Sequence, residues 1–102
     1  ESDLIVSGQI SLDTSARQVY LNGRELELNV KEYELLLLFL ENPGKTLRKE
    51  YIFAQIWGMD SLSENQTLTV HIKMLRSKIE DNPRQPGRIQ TVWGVGYRYV
   101  EV

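Results

Sequence analysis

The segment that most constrains the fold of this chain runs from Arg88 to Tyr99, with the sequence Arg-Ile-Gln-Thr-Val-Trp-Gly-Val-Gly-Tyr-Arg-Tyr. Most of these residues are β-branched or aromatic, and two glycines, Gly94 and Gly96, interrupt the run. This pattern predicts two short strands that fold back about a glycine-containing tip. We interpret both glycines as turn residues, because they lack the strand-to-helix context of a phosphate-binding motif. A β-hairpin over residues 88–100 follows.

An amphipathic helix is predicted directly before this hairpin, over about residues 63–81. The apolar residues that recur at the spacing of one helix face are Leu68, Ile72, Leu75 and Ile79. Ser63-x-x-Gln66 provides a possible cap for its start. The residues turned away from the apolar stripe are Gln66, Thr69, Val70, Lys73, Met74, Ser77 and Lys78. The helix therefore has one face for a core and a second, partly basic face for solvent or a partner.

The first 28 residues have the pattern of an antiparallel sheet with one buried face. Residues 9–13 alternate polar and apolar side chains, and Asn22-Gly23 separates two strand-like runs, 19–21 and 24–28. Asn-Gly accepts the positive φ angles of a type I′ turn, which makes it a strong hairpin signal. We therefore predict strands before the first helix.

Two further helices are predicted between this sheet and the basic helix. The first begins at Asn29, with Glu32 three residues later as the partner in a capping box. Leucines cover more than one of its faces, so we expect it to be buried against more than one neighbour. It ends at residues 42–44, Asn-Pro-Gly, and the second helix runs from about Arg48 to Trp57.

The net charge of −2 conceals an uneven distribution along the chain. Residues 1–64 contain six Lys or Arg and eleven Asp or Glu, a net charge of −5, whereas residues 65–102 contain six and three, a net charge of +3. This asymmetry fits a polyanion-facing surface backed by an acidic one, although an uneven solvated surface gives the same numbers. The pairing of a basic helix with a basic hairpin is more specific. The helix suits the major groove of DNA, and the ribbon suits the neighbouring groove or the backbone.

Other chemistry has little support in the sequence. The chain has no cysteine, and its single histidine, His71, cannot assemble a zinc site alone, so we expect neither a metal nor a cofactor. No nucleophile–base pair can be proposed for a hydrolase or a transferase. The longest apolar run, residues 35–40, is far shorter than the ~20 residues needed to cross a bilayer. A length of 102 residues predicts one domain, spanning 1–102. Because the chain begins at Glu1 rather than Met, we expect that it is excised from a longer protein, and we take the cytoplasm as its location.

Three sequence motifs of this chain occur together in one known family. They are Ile56-Trp57-Gly58, the helical run Thr67-Leu68-Thr69-Val70-His71-Ile72-Lys73-Met74-Leu75-Arg76-Ser77-Lys78, and the hairpin run Thr91-Val92-Trp93-Gly94-Val95-Gly96-Tyr97-Arg98-Tyr99. With these motifs the chain closely resembles, over essentially its whole length, the DNA-binding effector domain of OmpR/PhoB-type response regulators of bacterial two-component systems. The family pattern is close to T-V-D-V-H-I-x-x-L-R-x-K and T-V-R/W-G-x-G-Y-R-F/Y. The resemblance implies an α+β winged helix-turn-helix with an amino-terminal antiparallel sheet, three helices and a carboxy-terminal hairpin wing.

The resemblance also implies roles for individual residues. The positions that match base or phosphate contacts of the recognition helix are Val70, Lys73 and Met74. The positions that match backbone contacts are Trp57, Thr67, Arg76, Thr91 and Tyr97, and Trp93 replaces a residue that often enters the minor groove. The full set of candidate DNA-binding residues is Trp57, Gln66, Thr67, Thr69, Val70, Lys73, Met74, Arg76, Lys78, Thr91, Trp93, Tyr97 and Arg98.

The chain departs from the family pattern at three of these positions. Met74 stands where an arginine is common, Gln66 replaces a frequent basic residue, and Trp93 is uncharged. We therefore expect fewer charged contacts with DNA than the family pattern provides.

The family further implies partners for the chain. These are double-stranded DNA with direct-repeat sites, a receiver domain in the same parent chain, and RNA polymerase. The domain is expected to be monomeric alone and dimeric on DNA. The polymerase is expected to contact the loop formed by Met59, Asp60, Ser61, Leu62, Ser63 and Glu64.

Structural alternatives exist for several of these residues. Trp57 and Tyr97 can be core aromatics, Lys73 and Arg76 can belong to an ordinary solvated face, and Trp93 can fold back onto the wing or the third helix. At the level of the whole chain, the alternative is a protein-interaction module, since winged helices also bind proteins. That alternative predicts an apolar exposed face on the third helix.

Overall fold

The computed structural model describes residues 3–58 and 65–101. The chain begins with a four-stranded antiparallel sheet whose strands lie in sequence order. These strands are β1 (Leu4–Ser7), β2 (Ile10–Asp13), β3 (Gln18–Leu21) and β4 (Arg24–Leu26). Asn22 and Gly23 connect the last two with φ angles of 54° and 80°, which confirms the predicted type I′ turn. The side chains of Ile10, Leu12 and Val19 lie on the buried face of this sheet, which packs against the core.

The first helix, α1 (Val30–Glu41), begins with the predicted capping box. The side chain of Asn29 accepts a hydrogen bond from the backbone N of Glu32 at 2.8 Å, and the Glu32 carboxylate accepts one from the backbone N of Asn29 at 3.0 Å. The helix packs against both other helices and against the wing. This confirms the prediction that α1 is buried against more than one neighbour.

A short strand, β5 (Thr46–Arg48), separates α1 from α2 (Lys49–Trp57) and was absent from the sequence prediction. Three residues are too few to show the alternation that identifies a strand. Strand β5 pairs with the second strand of the hairpin, and it thereby turns the predicted two-stranded wing into a three-stranded sheet of order β5-β7-β6. The other two strands are β6 (Ile89–Val92) and β7 (Gly96–Tyr99).

The extra strand also changes the role of one glycine. The prediction that Gly96 is a turn residue was wrong, because Gly96 opens β7 and pairs with Arg48 of β5. A Cβ at this position would lie 2.0 Å from the carbonyl oxygen of Leu47, so the close approach of the two strands requires glycine. Gly94 is the turn glycine, with a φ angle of 79°.

The third helix, α3 (Asn65–Ile79), forms the helix-turn-helix with α2. Its predicted stripe is confirmed, since Leu68, Ile72, Leu75 and Ile79 are all buried. The helix ends at Ile79, two residues before the predicted end. The predicted cap at Ser63 lies outside the described residues.

Candidate nucleic-acid interface

The face of α3 opposite the buried stripe is open to solvent. Its exposed residues are Gln66, Thr69, Val70, Lys73, Met74 and Ser77. Val70 and Met74, which are apolar, retain exposed fractions of 51% and 38%. Lys73 supplies one positive charge in the middle of this face. We call these six residues the α3 face.

Thr67 and Trp57 lie beside the α3 face and are only half-buried. Nδ1 of His71 lies 2.8 Å from the carbonyl oxygen of Thr67, and the His71 ring meets the Trp57 ring edge-on at 5.1 Å between centroids. Trp57 also stacks on Phe53 at 5.2 Å. The two aromatic contacts hold Trp57 at the end of α2 with part of its surface open.

Lys31 secures the same end of α2 from the side of α1. Its Nζ donates to the carbonyl oxygen of Ile56 at 2.7 Å and lies 5.8 Å from the centroid of the Trp57 ring. A cation at a helix carboxyl end also interacts favourably with the helix dipole. Sequence reasoning did not single out Lys31, because its partner is a backbone carbonyl 25 residues away.

Arg76 connects α3 to the wing. Its Nε and Nη2 donate to the carbonyl oxygen of Ile89 at 3.0 and 2.7 Å, and Nη2 also donates to Oγ1 of Thr91 at 2.9 Å. The guanidinium lies 5.6 Å from the centroid of the Tyr97 ring. Burial lowers the pKa of Arg76, with the Tyr97 and Glu80 side chains acting in the opposite direction. An arginine remains charged nevertheless.

Lys78 also bonds within the fold. Its Nζ lies 2.6 Å from a carboxylate oxygen of Glu32 and 2.9 Å from the carbonyl oxygen of Glu27. The carboxylate is fully buried in the first turn of α1, so the lysine compensates a charge that water does not reach. The structure therefore places Lys78 against α1 and the end of the amino-terminal sheet.

Two residues that sequence reasoning missed anchor the start of β6. The Glu80 carboxylate accepts hydrogen bonds from the backbone N atoms of Gly87, Arg88 and Ile89. The buried Arg88 guanidinium donates to the carbonyl oxygen of Ile79 at 2.7 Å. The alternating pattern of the hairpin carried no sign of these bonds, since both side chains bond to backbone atoms.

The tip of the wing carries the most exposed large apolar side chain among the described residues. Trp93 is 88% exposed, and Val95 is 39% exposed beyond Gly94. The alternative in which Trp93 folds back onto the wing or onto α3 is therefore wrong. The indole is therefore open to solvent at the tip of the wing.

The remaining wing candidates are less accessible. Tyr97 is buried with 7% of its surface exposed, as the core alternative predicted. Thr91 is half-buried beneath Arg76, and Arg98 donates from Nη2 to the side-chain oxygen of Gln90 at 2.9 Å. The parts of the wing that face outward are thus concentrated at its tip.

A cleft of about 390 Å³ lies between α3 and the segment that follows it. Lys73, Arg76 and Arg84 line it together with the ring of Tyr97. Three positively charged side chains therefore surround a largely apolar cleft beside the α3 face. Arg84 was not among the sequence candidates, because it lies in a loop without periodicity.

The described part of the chain contains no group of three or more His, Cys, Asp or Glu residues that could hold a metal ion. None of the helices it describes is long and apolar enough to cross a membrane. An exposed, partly basic helix beside an exposed wing tip defines the class of this chain as a winged-helix DNA-binding domain.

Comparison with known proteins agrees with this class. Residues 23–99 match the family described as transcriptional regulatory protein, C terminal. The chain is 39% identical over 93 residues to YcbL, an uncharacterised transcriptional regulatory protein of Bacillus subtilis, covering 91% of this chain and 41% of that protein. This chain therefore belongs to the family of carboxy-terminal DNA-binding domains of OmpR/PhoB-type response regulators.

Two solved structures are similar to the fold. The response regulator DrrB of Thermotoga maritima, an OmpR/PhoB homologue, superimposes with a TM-score of 0.88 and 34% identity, covering 95% of this chain and 44% of that chain. The RstA DNA-binding domain of Klebsiella pneumoniae, in complex with the RstA box, gives 0.87 and 27%, covering 95% and 96%. The chain spans less than half the length of the curated relatives it matches.

Proposed function

We propose that this domain binds specific sequences of double-stranded DNA, with α3 in the major groove and the wing on the adjacent minor groove or backbone. The observation that carries the proposal is the α3 face, which is exposed, mixed polar and apolar, and joined through Arg76 to the exposed wing. A helix of this kind fits the width of the major groove, which displays a distinct pattern for each base pair. The similar RstA domain was solved in complex with the RstA box, which supports DNA as the ligand.

We assign contact with DNA to the exposed residues, and support of that surface to the residues that bond within the fold. Lys73 neutralises a phosphate, Gln66 and Thr69 offer hydrogen bonds to base edges or the backbone, and Val70 and Met74 contact thymine methyl groups. Trp93 lies along the sugar–phosphate rim of the minor groove. The residues proposed to shape or support this surface are Trp57, Thr67, Arg76, Lys78, Thr91, Tyr97 and Arg98.

The parent protein is proposed to be a longer, cytoplasmic response regulator with a receiver domain, because the curated relatives are more than twice as long as this chain. As the carboxy-terminal effector part, residues 1–102 would form one domain that binds direct-repeat DNA as a dimer after receiver phosphorylation. The loop of residues 59–64, which lies outside the described residues, is proposed to contact RNA polymerase. Family membership supports these partners.

Selection of bound duplexes from a random pool tests the proposal. We expect one enriched motif, and binding of that motif should exceed binding of a scrambled duplex by at least about a thousandfold at physiological salt. Lys73→Ala should weaken binding, whereas Arg24→Ala, which removes an exposed charge from the amino-terminal sheet, should not. Absence of any enriched motif would contradict the proposal. Capture of a protein ligand by the α3 face would favour the interaction module instead.

A further inference from the structure

The wing sheet is joined to α2 by backbone hydrogen bonds and to α3 by side-chain hydrogen bonds. On the side of α2, β5 pairs with β7, and the backbone N of Lys49 donates to the carbonyl oxygen of Val95 at 3.2 Å. On the side of α3, the bonds come from side chains. Because no strand ladder links α3 to the wing, the relative position of these two elements depends on these hydrogen bonds and on the apolar side chains that both contribute to the core.

The side chains of α3 and of the residue after it converge on one wing residue. The backbone N of Ile89 donates to the Glu80 carboxylate at 2.7 Å, and the Ile89 carbonyl oxygen accepts from both Nε and Nη2 of Arg76. Arg76 then reaches further along β6 to Oγ1 of Thr91. Thr91 is only two residues before Trp93, which follows the end of β6.

The chemistry of this junction requires arginine. A guanidinium presents donors in a rigid planar fork that can satisfy two acceptors at once, whereas a lysine ammonium is a flexible point charge. Arg76 is half-buried beside the Tyr97 ring, and among the described residues no ion pair involves it. Its Nε and Nη2 donors are thus directed at a carbonyl and a hydroxyl of the wing.

We propose that Arg76 is a positioning residue, which fixes the distance and angle between α3 and the wing and thereby the spacing between the DNA positions that each contacts. The effect on the spacing of DNA contacts rests on the proposed function. The fixed orientation of the wing relative to α3 does not. A simple phosphate contact by Arg76 would depend mainly on its charge. Positioning depends on the fork and on its two acceptors, the Ile89 carbonyl and the Thr91 hydroxyl.

The geometric part is tested without DNA. Residual dipolar couplings give the orientation of β6–β7 relative to α3 in the parent domain, in Arg76→Lys, and in Thr91→Val, which removes the acceptor without changing charge. Lys73→Met, an exposed change on the same helix, is the control. We expect both junction variants to deviate from the single rigid orientation that fits the parent and the control. Couplings of Arg76→Lys that fit the parent orientation would overturn the proposal. If Arg76→Lys fails to fold, couplings of Thr91→Val that fit the parent orientation would overturn it instead.

The DNA part compares the selected duplex with a shorter duplex that ends before the wing-side base pairs and so offers the wing no backbone. Arg76→Lys should bind the selected duplex about tenfold more weakly, since hydrogen bonds to charged groups contribute on this order. On the shorter duplex it should match the parent. Parent-like affinity of Arg76→Lys for the selected duplex would overturn the positioning role. Failure of the parent itself to prefer the selected duplex would instead refute the proposed function, and the couplings would still decide the geometry.

Discussion

The Nζ of Lys78 lies 2.6 Å from a carboxylate oxygen of Glu32, which is fully buried in the first turn of α1. The same carboxylate oxygen accepts a bond from the backbone N of Asn29 in the capping box. One ion pair therefore joins the start of α1 to the last turn of α3. A buried carboxylate without its partner is costly, so this contact stabilises the placement of the recognition helix.

Removal of this partner should destabilise the domain. We expect Lys78→Met to lower the free energy of unfolding by about 3 kcal/mol, because it leaves the Glu32 carboxylate buried and unpaired. Urea denaturation measures the change, and Lys73→Met on the exposed face is the matched control. Equal stability of the two variants would show that the ion pair contributes little.

Lys73 should affect binding through its charge alone. Lys73→Ala should weaken binding of specific and random duplexes alike and should lower the slope of log K against log salt by about one. Fluorescence anisotropy over a series of salt concentrations measures this slope, with Arg24→Ala as the control of equal charge. A slope that remains at the parent value would mean that the α3 face does not meet a phosphate at this position.

Val70 and Met74 should affect which bases are preferred. Both are apolar, exposed and without a core role, so truncation removes apolar contact with thymine methyl groups. The double alanine variant should lose about 1–3 kcal/mol of discrimination at each contacted base pair. Selection from a random pool measures the motif. If the variant recovers the motif of the parent unchanged, these residues do not read bases.

Trp93 should contribute affinity without a salt effect. Because the ring is neutral, Trp93→Ala should weaken binding by roughly tenfold, as truncation of an aromatic anchor does, with an unchanged salt slope. Trp93→Arg should steepen the slope. With 88% of the side chain exposed, the melting temperature of Trp93→Ala should stay close to that of the parent. A drop of several degrees with intact DNA affinity would argue for a structural role.

The sequence predicted the elements that depend on local patterns. The stripe from Leu68 to Ile79, the Asn22-Gly23 turn and the Asn29–Glu32 capping box follow from spacing and turn chemistry, and all three are present in the structure. The exposure of the α3 face followed from the same helical periodicity. Its proposed role on DNA stays a prediction.

The elements that were missed depend on contacts between distant residues. Strand β5 has only three residues and is defined by its pairing with β7. Arg76 and Lys78 had the pattern of a basic face, yet both reach partners 13 or more residues away. The length of a basic side chain allows it to bond within the fold, and its spacing on a helix does not reveal that partner.

A nuclear magnetic resonance titration of the domain with its selected duplex tests whether α3 and the wing form the DNA-binding surface. We expect the largest chemical-shift changes at residues 66–77 and 91–95, including the indole N–H of Trp93. Changes confined to the four-stranded amino-terminal sheet, with α3 and the wing unaffected, would contradict DNA binding through α3 and the wing.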